Sequence, residues 1–271
     1  MTARLPSRIG FWLAVALILF VFLFPIAWML LGSFKTHVQI ISLENILIFT
    51  PTLENYNDVF AKYDFLQYIG NSVIIALGAT GFSLLIGLPA AYGIARFKMH
   101  FLGLVILIGR IIPGIAFIIP WYILFSRLQL IDTHLALILA HMLIVLPLVI
   151  WIMIPMFEAI PSELEEAGLI DGCSRNRVFL NLILPISVPG MITASLLSII
   201  FSWNNFLFSL VLSDINTKPL PVAIFNFLSY NEVSWGPLMA AASIITLPIM
   251  LIALISQRYV VSGFASGAVK G

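Results

Sequence analysis

Apolar residues fall in long unbroken runs along this chain, and polar residues are confined to the gaps between them. Six runs reach the roughly 20 residues needed to cross about 30 Å of hydrocarbon. They are Ile9–Leu31, Ile69–Ala91, Leu102–Phe125, Leu135–Phe157, Ile186–Leu212 and Leu238–Ile255. None alternates polar and apolar residues as a barrel strand does, so an all-α membrane protein with six transmembrane helices is expected. Arg4 and Arg8 precede the first run, as in a signal peptide. That run is longer than a signal h-region and no A-x-A-like site follows it, so it is read as an uncleaved helix. Pro25, Pro89, Pro113, Pro120, Pro147 and Pro248 lie within or at the ends of runs and free backbone carbonyls there.

Two gaps stand out. The widest, Gly32 to Tyr68, holds Glu44, Glu54, Asp58 and Asp64 against Lys35 and Lys62. It reads either as a solvated connector or as a docking surface for an external binding protein. The second, Ile160 to Gly190, is an acidic, small-residue insert between the fourth and fifth runs. Pro161 suits a first helical turn, and Ser162 with Glu165 has the spacing of a capping box. Glu163, Glu165 and Glu166 complement the positive end of the helix dipole. Gly172 permits a left-handed stop, after which Ser174 or Asp171 can cap a second helix, Arg175–Leu184, ended by Pro185. Ser162–Asp171 spans about 15 Å at helical rise. Ala167, Gly168 and Gly172 keep one side slim enough to enter a cleft, and the carboxylates can pair with a partner's arginines. The alternative is an interfacial amphipathic helix with no partner.

Composition narrows the class. With 61% hydrophobic and 9% charged residues and a mean hydropathy of +1.11, the chain is too apolar for a soluble globule. A net charge of +1 offers no basic surface for nucleic acid. The single cysteine, Cys173, excludes an internal disulfide and reads as a packing residue. Lysine and arginine placement gives orientation. Arg4, Arg8, Arg96, Lys98, Arg175, Arg177, Arg258 and Lys270 fall on one side, and Lys35, Lys62, Arg127 and Lys218 on the other, eight against four. The excess puts both termini and the Ile160–Gly190 insert in the cytoplasm.

The chemistry of known catalytic motifs is missing from the sequence. There is no G-x-x-x-x-G-K-[S/T] to cradle ATP phosphates, and no H-E-x-x-H or G-x-S-G. His134 and His141 are assigned to different helix faces, to pack or line polar seams, and no metal site is expected. Asp132, Glu158 and Asp214 sit at or beyond the ends of runs, which weighs against an ion-coupled carrier. Arg110 lies about eight residues into the third run. It can snorkel, face a wet cavity, or meet a sister subunit. Trp203, Asn204 and Asn205, and secondarily Trp121 and Tyr122, offer the aromatic faces and amides that hold neutral sugars. They serve equally as helix-packing residues.

The insert resembles the EAA loop of ABC-importer membrane subunits. That pattern runs E-A-A-x-x-D-G-A, then F-x-x-I-x-L-P and a later proline. It is matched here by Glu166, Ala167, Asp171, Gly172, Phe179, Leu184, Pro185 and Pro189, with Gly168, Cys173 and Leu182 as departures. Asn55-Tyr56, Leu130-Ile131-Asp132-Thr133, Trp203-Asn204-x-Phe206 and the ending Gln257-Arg258-Tyr259…Gly263…Gly267-Ala268-Val269-Lys270-Gly271 are similar to carbohydrate importers of the maltose-permease type, specifically their second permease subunit. The resemblance implies a type I importer permease fold in a bacterial inner membrane. It implies an N-terminal helix and outer loop over 1–66, a permease core over 67–258 with its coupling loop at about 158–185, and a cytoplasmic tail over 259–271. Glu163, Glu166, Ala167, Gly168, Asp171, Gly172, Arg175 and Pro185 become ATPase-coupling residues, and Gln257, Arg258 and Gly263 tail contacts. Arg110, Trp121, Tyr122, Trp203, Asn204 and Asn205 become candidates for the substrate path. In the maltose system, however, most sugar contacts come from the other permease subunit. The implied partners are a homologous permease, an ATPase dimer that itself binds ATP and Mg, a solute-binding protein and lipid. The alternatives are a permease for a non-sugar solute and an ion-gradient carrier.

Overall fold

The computed structural model describes residues 5–42, 44, 46–228 and 233–268, with side chains described within 9–257. The helices, in chain order, are α1 (Leu5–Ser33), α2 (His37–Ile41), α3 (Glu54–Lys62), α4 (Phe65–Arg96), α5 (His100–Ile111), α6 (Ile115–Arg127) and α7 (His134–Glu158). Then come α8 (Ser162–Ile170), α9 (Arg175–Val178), a π turn (Phe179–Ile183), α10 (Leu184–Ile186), α11 (Val188–Trp203) and α12 (Leu207–Leu212). The last are α13 (Leu220–Ala223), a 3-10 turn (Ile224–Phe227) and α14 (Trp235–Ala268). No strand occurs among the described residues, as the uninterrupted apolar runs require. Four helices are long and apolar enough to cross a membrane, and six spans result if each of two bent pairs is counted as one.

Two of the six expected spans are not straight. The third run divides into α5 and α6, bent by 91°. Pro113 disfavours helical backbone at the residue before it, and Ile112 is accordingly extended, with φ −65° and ψ 123°. The fifth run is interrupted twice. The segment from Arg175 to Ile186 meets α11 at 76°, and α11 stops at Trp203 before α12 begins at Leu207. Pro185 does not end the second loop helix as expected. It lies inside α10, and the chain widens just before it into the π turn, in which the Leu184 N–H bonds the Phe179 carbonyl. α14 begins at Trp235 and runs on past the sixth apolar run to Ala268.

Two compact units are present: Met1–Phe65 with Ile224–Leu247, and Leu66–Ala223 with Pro248–Gly271. In the first, the Gly32–Tyr68 gap is more than a solvated connector. Asn55 is buried and donates from Nδ2 to the carbonyls of Ser33 (2.8 Å) and Lys35 (2.7 Å). A Cβ at Gly236 would lie 2.2 Å from the Asn55 side chain, so a larger residue there would have to displace that amide.

In the second unit α7 is the hub, with half of its apolar window buried against none for α1. Leu88, Ala91, Ile94 and Ala95 of α4 pack with Val145, Val149, Met153 and Phe157 of α7 and with Ala194 of α11. Close approach depends on small residues, as is usual where lipid removes the hydrophobic drive between helices. A Cβ on Gly78 of α4 would stand 2.5 Å from Ile138 of α7, and one on Gly87 would stand 2.9 Å from Val149.

Candidate functional site

α8 lies at the Glu158 end of α7 and is held there by a polar anchor. The Glu165 carboxylate pairs with Arg96 of α4 through Nε and accepts a 2.6 Å bond from the Tyr92 hydroxyl. Arg96 also donates from Nη2 to the Ile160 carbonyl at 3.0 Å, fixing the start of the loop. Glu165 is therefore spent on this anchor and does not form the expected capping box. Pro161 takes the N-cap position, with no side-chain cap bond. Ser174 does cap α9, accepting from the Arg177 N–H.

The far end of α8 closes with a Schellman turn. Cys173 N–H bonds the Gly168 carbonyl and Gly172 N–H the Leu169 carbonyl, both at 3.0 Å. Gly172 has φ +84°, the left-handed geometry that glycine adopts without a Cβ penalty. Gly168 serves a different purpose from the one expected. Its open side is turned toward the chain itself, where a Cβ would come within 3.1 Å of Val178. The slim contact thus seats α8 on α9. The surface left outward is a row at 3–4 residue spacing, Glu163, Glu166, Ala167 and Ile170, all exposed, with Ile170 85% accessible. Asp171, Gly172, Arg175 and Pro185 are exposed as well. Gln257 is exposed, whereas the side chains of Arg258 and Gly263 lie outside the described residues.

The candidate path residues gather where the two broken spans meet. The Arg110 guanidinium stands 5.0 Å over the ring of Phe201, the last turn of α11. At the α5–α6 bend, a Cβ on Gly114 would stand 3.8 Å from the ring of Phe208 of α12. Arg110 is in the last turn of α5, where the negative end of the half-helix dipole favours a cation. Asn204 is exposed and donates to the Ile200 carbonyl at 2.8 Å. The Asn205 side-chain carbonyl accepts from Phe208 N–H at 3.3 Å. Trp203 is only 6% exposed, and Trp121 stacks edge-on against buried Phe125, 4.9 Å between centroids. Tyr122 is exposed.

Two features escaped the sequence reading. Seven residues make almost two full turns, so His134 and His141 share one face of α7 and are separated by about 10 Å of rise. His134 meets Asn71 (2.8 Å), and His141 bridges Ser202 and Ser209. The second feature is a clasp built on Asp132 at the end of α7 opposite α8. Its carboxylate accepts from the backbone N–H groups of Asp214 (2.9 Å), Asn216 (3.1 Å) and Thr217 (3.0 Å). It also accepts from the side chains of Asn216 and Thr217, each at 2.7 Å. Burial pushes this carboxyl up, but the bonds from Thr217, Asp214 and Asn216 outweigh it and bring the pKa down to about 2. Asn71 of α4 ties in the same loop by donating to the carbonyls of Asn216 and Lys218.

Comparison with known proteins places this geometry. Residues 83–266 match the family model described as binding-protein-dependent transport system inner membrane component. A probable ABC transporter permease protein of Sinorhizobium fredii is 35% identical, over 99% of this chain and 98% of that one. A trehalose/maltose transport system permease protein of Thermococcus litoralis is 33% identical over the full length of both. Among solved structures, a bacterial ABC transporter involved in the import of the acidic polysaccharide alginate superposes with a TM-score of 0.81. It is 20% identical and covers 96% of this chain and 99% of that one. The fold is that of an ABC importer permease.

Proposed function

Since this chain belongs to the family of binding-protein-dependent transport system inner membrane components, we propose that it is the permease subunit through which an ABC importer passes a sugar or sugar derivative. Full-length similarity to a trehalose/maltose permease supports the solute class. The observation that carries the coupling role is the outward row Glu163–Glu166–Ala167–Ile170 on a helix pinned to α4 by Arg96 and Glu165. A helix held this way moves with the span beneath it, so force on the row reaches the bundle. In this reading the row, with Asp171, Gly172 and Arg175, docks on a separate ATPase dimer. That dimer holds ATP and Mg, and this chain has no ATPase site of its own.

Both termini and α8 lie in the cytoplasm of a bacterial inner membrane, the side that the lysine and arginine excess marks. A homologous permease completes the pore, and a solute-binding protein delivers cargo to the opposite face. The core spans 67–258, preceded by an N-terminal helix and outer loop over 1–66. Residues 259–271, with Gln257, Arg258 and Gly263, extend toward the ATPase.

The paired breaks at 112–114 and 204–206 form this chain's share of the path, with Asn204 and Asn205 supplying amides. Arg110 favours one version of the cargo. An arginine within a span has a high cost without an anionic partner, and no acid pairs with it among the described residues. A sugar derivative bearing a carboxylate, sulfonate or phosphate would satisfy it.

The coupling assignment is tested with Asp171→Lys and Glu166→Lys in the reconstituted complex. Both variants are expected to insert and to lose binding-protein-stimulated ATP hydrolysis and uptake; unchanged hydrolysis and uptake in both would sink it. A thermal-shift screen of the partner binding protein identifies the solute, and an exclusively neutral ligand would overturn the anionic version.

A further inference from the structure

His141 is the largest buried polar side chain among the described residues of the second unit, at 2% exposure, and the coupling reading does not use it. It lies on α7, and both of its ring nitrogens reach across to the interrupted fifth span. Nδ1 is 2.8 Å from Ser202 Oγ, just before the break at 204–206, and Nε2 is 3.2 Å from Ser209 Oγ, just after it. The hydrogen-bond inventory fixes the direction of this bridge. Ser209 spends its one hydroxyl proton on the Asn205 carbonyl, at 2.8 Å, so toward His141 it can only accept. Nε2 must therefore carry the ring proton, and Nδ1 must accept from Ser202. Both partners are hydroxyls and no carboxylate neutralises a second ring proton, so the imidazole is neutral. The result is a one-way chain: Ser202 O–H to Nδ1, Nε2–H to Ser209, and Ser209 O–H to the carbonyl of Asn205.

We propose that His141 is a positioning residue for the substrate path, acting through this chain to hold the α11–α12 break in one geometry and so to set where Asn204 and Asn205 sit. The proposal rests on the reading of Asn204 and Asn205 as path residues. Trp203, Asn205 and Ser72 surround the same serines, so the ring fills the space behind the break and leaves no room for a water to do its work. Without this ring the hydroxyls of Ser202 and Ser209, on either side of the break, would lose the partner that joins them. The break would then close into continuous helix or splay.

The test uses the assembled complex in lipid nanodiscs. With 15N-histidine labelling, His141 is identified by the signal lost in His141→Gln, and its shifts should report the neutral Nε2–H tautomer; an Nδ1–H tautomer or an imidazolium at neutral pH overturns the chain. Spin labels on Val188→Cys and Leu210→Cys in a Cys173→Ser background bracket the break. Both sites are exposed, at 44% and 47%. A single narrow distance is expected. His141→Leu should shift or broaden it, and His141→Gln, which can still place a donor near Ser209, should restore it. Labelling of Asn204→Cys by a charged methanethiosulfonate should change at least fivefold in His141→Leu and return with Gln. Should the leucine variant fail to insert, Ser209→Ala removes the same relay and should broaden the distance alike. Distances and labelling rates that stay at wild-type values in both variants overturn the proposal. Normal uptake by the Asn204→Ala, Asn205→Ala double variant would instead overturn the path reading, which the tautomer and distance readouts do not depend on.

Discussion

Replacing Arg96 with methionine should release α8 from the bundle while leaving its outward row chemically intact. Methionine fills much of the arginine stem's volume but cannot pair with Glu165 or donate to the Ile160 carbonyl. The side chains of Arg96 and Glu165 are 17% and 14% exposed, so solvent screens the pair only partly. Removing one partner of such a pair costs about 3–5 kcal/mol, and the lower bound is appropriate at the edge of the bundle. Tyr92 still donates to Glu165 at 2.6 Å, which softens the loss and argues again for about 3 kcal/mol. That energy corresponds to roughly a 100-fold rise in the population of detached α8, at about 1.4 kcal/mol per factor of ten. Hydrogen exchange of the α8 amides, followed in the complex, should quicken by that factor, while α7 exchanges as before. Binding-protein-stimulated ATP hydrolysis and solute uptake should fall together. Arg96→Lys, which keeps the charge but not the fork, should recover part of both. Wild-type exchange in α8 together with wild-type uptake in Arg96→Met would refute the idea that this pair transmits force.

Gly172→Val should cost at least 1–2 kcal/mol, because its φ of +84° forces a β-branched residue into the left-handed region; the check is faster exchange of the Cys173 amide, whose bond to Gly168 the turn supports. Gly168→Leu should push α8 off Val178, since even a Cβ comes within 3.1 Å, and should lower uptake more than Gly168→Ala does. For Asp132 the folded pKa of about 2 lies below the ordinary aspartate value of 3.8, so its stabilisation is present above about pH 4 and is lost as pH falls through 2. The melting temperature of the wild type should therefore drop relative to Asp132→Asn across that window; parallel melting curves from pH 5 to pH 2 would contradict it.

What the sequence revealed and what it hid follow from the range of the interactions. Apolar runs are local, so the spans were legible to within a few residues: Ile69–Ala91 lies inside α4, and Leu135–Phe157 falls within α7. The stop of α8 was equally legible, because Gly172 writes its backbone geometry into its identity. The start was not. Ser162 and Glu165 have capping-box spacing, but Glu165 finds Arg96 and Tyr92, 69 and 73 positions away, and an ion pair with a tyrosine hydroxyl outcompetes a surface cap. Pro113 was visible as a proline within a run and Asn204-Asn205 as a pair of amides, but neither showed that the span divides there. A hydropathy run counts side chains and is blind to the carbonyls that a proline or an asparagine pair sets free. The burial of Trp203 and the stacking of Trp121 on Phe125 were hidden for a related reason: residue type does not say which way a ring faces.

Within the second unit, the pattern of ties separates what is stiff from what can change shape. α4 is fixed at both ends by polar bonds, through Asn71 to the Asp132 loop and through Arg96 to α8. Between them, Asn71 to Arg96 covers about 38 Å of continuous helical rise. Gly78 and Gly87 clamp that length onto α7, and α7 leads directly from the clasp to the loop that carries α8. The α4–α7 pair is thus packed along its length and tied to the same two loops at its ends, so a push on α8 would reach both helices directly. The fifth span is built in the opposite way. A π turn, a 76° bend at Ser187 and a gap at 204–206 leave three places where few backbone bonds need break for the axis to turn. Motion driven from α8 would therefore appear as a change between the α4–α7 pair and α11–α12. Across that seam stands His141, fixed on the rigid side and bonded to both halves of the flexible one.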